Sequence, residues 1–181
     1  MSRDGGRVQA FNGQIVVDDA HQIAVAAALS NQAPDAEYFE PLLRRAIDNC
    51  NAVPAVITAD AGYFSVENVA AAVHLGSEPF IAVGSHASNG LPVDPASPRR
   101  TTARDAMNTQ ISTPRGRALY ARRKSTVEPV FGQIRACRGF HHVSLRGLLK
   151  ARCEWLLVCA THNLLKLWRA SAQGLPLALP A

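Results

Sequence analysis

No apolar run in this 181-residue chain approaches the roughly 18–20 positions needed to cross a bilayer. The opening MSRDGGRVQA lacks an apolar h-region, so no cleavable secretion signal is expected. Close cysteine pairs are missing as well. Cys50, Cys137, Cys153 and Cys159 form no CxxC, and a chain of this length needs no disulfide to hold a core. P-loops, dinucleotide fingerprints, nucleophile elbows and internal repeats are all absent. Global disorder is excluded by 48% hydrophobic and 18% charged residues. The expectation is one soluble, cytoplasmic domain with reduced thiols.

Acidic residues are scarce where basic ones gather. Residues 99–152 hold thirteen Lys or Arg against only Asp105 and Glu128, a net of +11, while the rest of the chain nets −6. Such segregation is the footprint of a surface that meets a polyanion, most plausibly nucleic acid.

Phe11–Val17 and Ile23–Leu29, joined by a short acidic connection, predict an antiparallel hairpin. Phe39, Leu42, Leu43, Ala46 and Ile47 repeat at three and four, predicting a helix from Ala36 with Asp35 as its cap. Ala55–Ala59 reads as a buried strand ending at Asp60. Ser65 opens a helix that stops at Gly76, and Phe80–Val83 reads as a further strand. Residues 84–113, rich in Pro, Ser, Thr, Asn and Gly, read as a mobile insert. Thr113-Pro114 then opens a long helix, with proline where its missing N–H costs nothing. That helix ends near Gly139; a last one covers about Leu148–Trp168, and the tail GLPLALPA reads as frayed. This order predicts an α/β sheet with helices packed on it.

Two acids stand in settings suited to chemistry. Asp60 follows a hydrophobic strand, and catalytic groups of open α/β sheets collect outside the carboxyl ends of strands. Gly62 gives the freedom to turn there. Glu128 is the lone acid of its predicted helix, sharing a face with Lys124 and Arg135. Pro129 beside it costs roughly 3 kcal/mol or more in a helix interior and predicts a kink. Cys137, His141, His142 and Cys153 imitate a zinc set, but structural zinc sites show close cysteine pairs. His162 reads as a core histidine, and Trp155 and Trp168 as packing residues.

Asp60-Ala61-Gly62-Tyr63, followed by Tyr120, Arg123, Glu128 and Arg135, resembles the signature of bacterial insertion-sequence transposases with a DDE (Asp-Asp-Glu) active site. FNGQIVVDDAHQIAVAAALSNQAPD, ITADAGYFSVENV, YARRKSTVEPVFGQIRACRGF and HNLLKL are similar to successive blocks of that catalytic domain. The chain departs in spacing: four residues separate Arg123 from Glu128 where three are usual, and Arg135 replaces a lysine. The resemblance implies an RNase H-like mixed sheet flanked by helices, with residues 1–181 as the C-terminal portion of one catalytic domain. It implies Mg²⁺ (or Mn²⁺) held by Asp60 and Glu128, with Tyr120, Arg122, Arg123, Lys124 and Arg135 meeting DNA. The family's first Asp precedes the hairpin; Asp4 and Asp18, the nearby acids, both stand in turns. The expectation is therefore an N-terminally truncated transposase with impaired cleavage and strand transfer, acting on transposon ends and target DNA, alone as a homo-oligomer or beside a full-length transposase. Two alternatives are a non-catalytic remnant that binds DNA or a transposase, and a nuclease unrelated to transposition.

Overall fold

The computed structural model describes residues 11–32, 34–84 and 98–173, which divide into two compact units. Asp4, residues 85–97 of the expected insert and the tail GLPLALPA lie outside the described residues.

One unit takes the chain up to Ala33 and again from Val130. Its hairpin pairs β1 (Asn12–Val17) antiparallel with β2 (Ala24–Ser30), as the sequence predicts. Asp18 closes the connection. Its carboxylate accepts the backbone N–H of His21 at 2.8 Å and that of Ile23, so this acid is spent on its own turn. Residues 133–137 form a π-turn, and the long last helix, labelled α5 below, covers Leu148–Ala172. That helix lies on β2 through Ala151, Trp155 and Cys159, which pack with Ala27, Leu29, Val130 and Ile134. Trp155 stacks on Phe131 and tilts against Phe140, with centroids 6.1 and 6.0 Å away, and its indole N–H donates to the Gln14 carbonyl. Burial pushes the Cys159 thiol up to about 12. His162 is a core histidine, as expected. Trp168 is not a packing residue: it is 65% exposed, because it falls on the side of the helix turned away from β2.

The other unit is Pro34–Pro129. A 3-10 turn at Ala36–Tyr38 leads into α1 (Phe39–Cys50), which buries Phe39, Leu42, Leu43 and Ala46. Asp35 stands at the start of that turn without capping it through its side chain. Asn51 ends α1 in the left-handed region at φ 49°, a conformation that asparagine tolerates. The strand β3 (Val56–Ala59) runs into Asp60. Helix α2 (Val66–His74) then crosses over to β4 (Glu78–Ile81), which pairs parallel with β3 from Val56↔Glu78 to Ala59↔Ile81. Ser65 caps α2, its hydroxyl accepting from the Asn68 N–H at 3.0 Å. Phe39, Leu43, Phe64, Ala72, Ile81 and Met107 make the core.

The expected mobile insert is corrected over its second half: Pro98–Ser112 is a helix, α3. Its apolar positions are few, but Met107 is 3% exposed and Ile111 packs beside it. Tertiary burial thus overrides a run of weak helix formers. Helix α4 (Pro114–Gly132) follows at once, with Thr113 accepting the Gly116 N–H at 2.9 Å. A Cβ on Gly116 would meet the Gln110 carbonyl oxygen at 2.1 Å, so only glycine turns this corner. Pro129 lies inside α4, which continues through it to Gly132. The described strands form two separate two-stranded sheets, one antiparallel and one parallel. The architecture is α/β as predicted, with less sheet than helix.

Candidate functional site

Asp60 leaves β3 in extended conformation, and its carboxylate accepts the Gly62 N–H at 3.2 Å, opening a 3-10 turn at Ala61–Tyr63. Strand, acid and turn therefore arise within the eight residues 56–63, as the sequence predicts. A second acid comes from tertiary structure. The Asp35 carboxylate lies against Gly62, with Oδ2 2.7 Å from where a Cβ would stand. Tyr63 lies among these groups. Its phenol is pushed up from its ordinary value by burial first, then by the negative charges of Asp35 and Asp60.

Asn68 holds the two loops together. It is 7% exposed, and its amide donates to the carbonyls of Ala36 and Tyr63, both at 2.8 Å. Neither Asn68 nor Asp35 as a neighbour of Asp60 is visible in the sequence. The signal for Asn68, an amide three residues after a capping serine, is common in helix first turns.

From α4, Arg123 reaches the turn, its Nη1 3.8 Å from Asp60 Oδ2. The guanidinium carbon lies 5.3 Å from the centroid of the Tyr120 ring. The Arg123 Nε is buried without a hydrogen-bond partner, so the group is held more by charge and ring contact than by directed bonds. The structure thus joins Asp60, Tyr120 and Arg123. Glu128 is exposed and stands five residues further along α4, about 140° around the helix from Arg123. Arg122, Lys124 and Arg135 are likewise exposed. Among the described residues, no three His, Cys, Asp or Glu side chains gather to hold a metal ion. Asp60, a half-exposed oxygen donor, suits a hard cation.

Several other cations of the basic segment are paired within the chain. Arg115 holds Glu78 through two bonds of 2.7 and 2.6 Å and keeps that carboxyl below its ordinary value. Arg104 donates to the Gly84 carbonyl and lies over the Phe64 ring. Arg138 and Arg152 donate to the carbonyls of Thr161 and Leu29.

A carboxylate at a strand's carboxyl end, faced by an arginine from a strongly basic helix, defines a site suited to phosphate chemistry. Residues 93–168 match the family described as "Transposase DDE domain". The resemblance to a DDE transposase is borne out over that stretch, which contains Tyr120, Arg122, Arg123, Lys124, Glu128 and Arg135 but not Asp60. No curated protein and no solved structure matches the chain significantly. No described helix is long and apolar enough to cross a membrane.

Proposed function

We propose that this chain is a transposase catalytic domain of RNase H-like type that engages DNA, with Asp60 and Glu128 as its metal-binding carboxylates and Mg²⁺ or Mn²⁺ as the ion. The observation that carries the reading is the Asp60–Arg123 pair, in which a strand-end carboxylate meets a helix inside the family match. In such chemistry a divalent ion, when bound, stabilises the attacking and leaving oxygens of a phosphodiester. The chain's own groups have simpler parts. Gly62 and Asn68 set the Asp60 carboxylate, while Arg123 offsets its charge. Arg122, Lys124 and Arg135 neutralise phosphates and fix the register of the duplex.

The parallel β3–β4 pair with its α2 crossover, and the acid at its carboxyl end, support the RNase H-like sheet. By the resemblance, Asp60 and Glu128 would take two of the three carboxylate positions the family uses, and among the described residues they are not gathered with a third. Impaired cleavage is part of this reading, since two ions need more ligands than Asp60 and Glu128 supply. The same observation favours a second reading, in which the chain binds DNA or a transposase without cutting.

The test is nicking of supercoiled DNA and joining of end-containing DNA with Mg²⁺ or Mn²⁺. The expected result is no strand transfer and at most weak nicking, abolished by Asp60→Ala and Glu128→Ala alike. Efficient strand transfer would show that a third carboxylate completes the site. DNA binding with no nicking in either metal would leave the non-catalytic reading.

A further inference from the structure

The two oxygens of Asp60 are held in different ways. Oδ1 accepts the Gly62 N–H at 3.2 Å, a directed bond made within its own turn. Oδ2 faces Arg123, whose Nη1 stands 3.8 Å away, beyond hydrogen-bond length, so that contact is charge attraction alone. The Asp60 side chain is 50% exposed, and an ion pair open to water contributes little. On the other side of the pair, the Arg123 Nε is buried with no partner, and an unmade donor is costly. The Tyr120 ring, 5.3 Å from the guanidinium carbon, stands one turn earlier on the same helix, so it does not tie Arg123 to the strand end. Arg123 is therefore weakly held at Asp60, and release lets its Nε find a partner.

We propose that the Arg123 guanidinium and a divalent cation are alternative partners of the Asp60 carboxylate, and that Arg123, once displaced, turns to a DNA phosphate. The proposal rests on the reading of Asp60 as a metal-binding carboxylate and adds a coupling between the two ligands. Arg123 already offsets the single negative charge of Asp60, so a doubly charged ion meets that positive charge at close range. In a water-like medium such repulsion is worth on the order of tenfold in affinity. A phosphate offers the displaced guanidinium short, directed bonds, which Asp60 Oδ2 at 3.8 Å does not. Ion and DNA are thereby linked: each favours the Arg123 position that suits the other, and the linkage is reciprocal.

Mn²⁺ binding to the DNA-free protein, read from the loss of the free-ion EPR signal, tests the exchange. Arg123→Gln and Arg123→Met should each bind on the order of tenfold more tightly than wild type. Arg123→Lys, which keeps the charge, should stay close to wild type, and Asp60→Asn should lose the ion. Two uncharged variants keep the test open where one of them harms folding, which circular dichroism reports. Salt series of duplex DNA affinity test the transfer to phosphate. Wild type and Arg123→Gln should show equal slopes in EDTA, and slopes that differ by about 0.9, one phosphate, at saturating Mn²⁺. If Asp60→Asn binds Mn²⁺ as wild type does, the metal reading of Asp60 falls and the exchange with it. If Asp60→Asn loses the ion while both uncharged Arg123 variants bind no more tightly than wild type, the exchange alone is overturned. Equal slopes with Mn²⁺, or unequal slopes in EDTA, overturn it as well.

Discussion

Gly62 has no positive φ to justify it; its backbone is one any residue adopts, and the constraint is the Asp35 carboxylate 2.7 Å from a would-be Cβ. Gly62→Ala is therefore expected to destabilise the fold by about 1–3 kcal/mol, the usual range for overpacking. Urea denaturation measures it. Asp35→Ala should restore most of the loss in the double variant, since it removes the atom that is struck. Equal destabilisation with and without Asp35 would mean that the turn is limited by something else. Asn68 exerts its hold differently: truncating it leaves two buried carbonyls unpaired rather than creating a clash.

At the scale of elements, α5 organises the hairpin turn as well as covering its face. Asn163 both donates to and accepts from Ala24, each at 2.8 Å, which mimics one more step of strand pairing. Lys166 donates to the Gln22 side chain, and the His162 Nε2 donates to the Gln22 carbonyl at 2.9 Å. Gln22 itself sits at φ 59°, so these bonds hold a residue in a conformation it rarely takes. Burial lowers the His162 pKa, with Lys166 and Arg138 adding like charge and the Gln22 bond opposing. The unfolded chain consequently takes up this proton first as pH falls, and stability drops through the window below the ordinary histidine value. Urea midpoints between about pH 7 and 5 should fall for the wild type and flatten for His162→Gln. An unchanged slope would place the titration elsewhere.

Elements whose burial follows local spacing were legible in the sequence. The hairpin, α1, the strand before Asp60 and the Ser65 cap all declare themselves within a few residues. Helix α3 did not, since RRTTARDAMNTQIS is a helix by virtue of Met107 and Ile111 finding a core made elsewhere. At the site, Asp60 was legible as a strand-end acid and Asp35 was not. Its meeting with Gly62 depends on how two loops are tied through Asn68, and no spacing encodes that. Helix α5 was legible as apolar, but the division of its leucines and tryptophans between a packed and an open face is tertiary information.

For the whole molecule the governing quantity is charge, +5 overall with +11 between residues 99 and 152. Duplex DNA binding should therefore weaken linearly in log–log plots against salt, with a slope near −0.9 for each phosphate neutralised. Arg122, Lys124 and Arg135 are exposed; Arg115, exposed as well, is paired with Glu78, and Arg123 with Asp60. Replacing Arg122, Lys124 and Arg135 by alanine should reduce the slope by up to about 3, and Arg115→Ala should leave it nearly unchanged. Fluorescence anisotropy across a salt series checks both. Equal losses from the two variants would mean that α4 is not the contact surface.

The unlike settings of the two tryptophans give this chain a pair of internal optical reporters. Trp155, 4% exposed between two phenylalanines, emits from a dry site and changes only when the hairpin comes away from α5. Trp168, 65% exposed, emits from water and is open to collision with iodide. Quencher titration therefore separates the light of the buried ring from that of the exposed one, and one cuvette reports on both without a label.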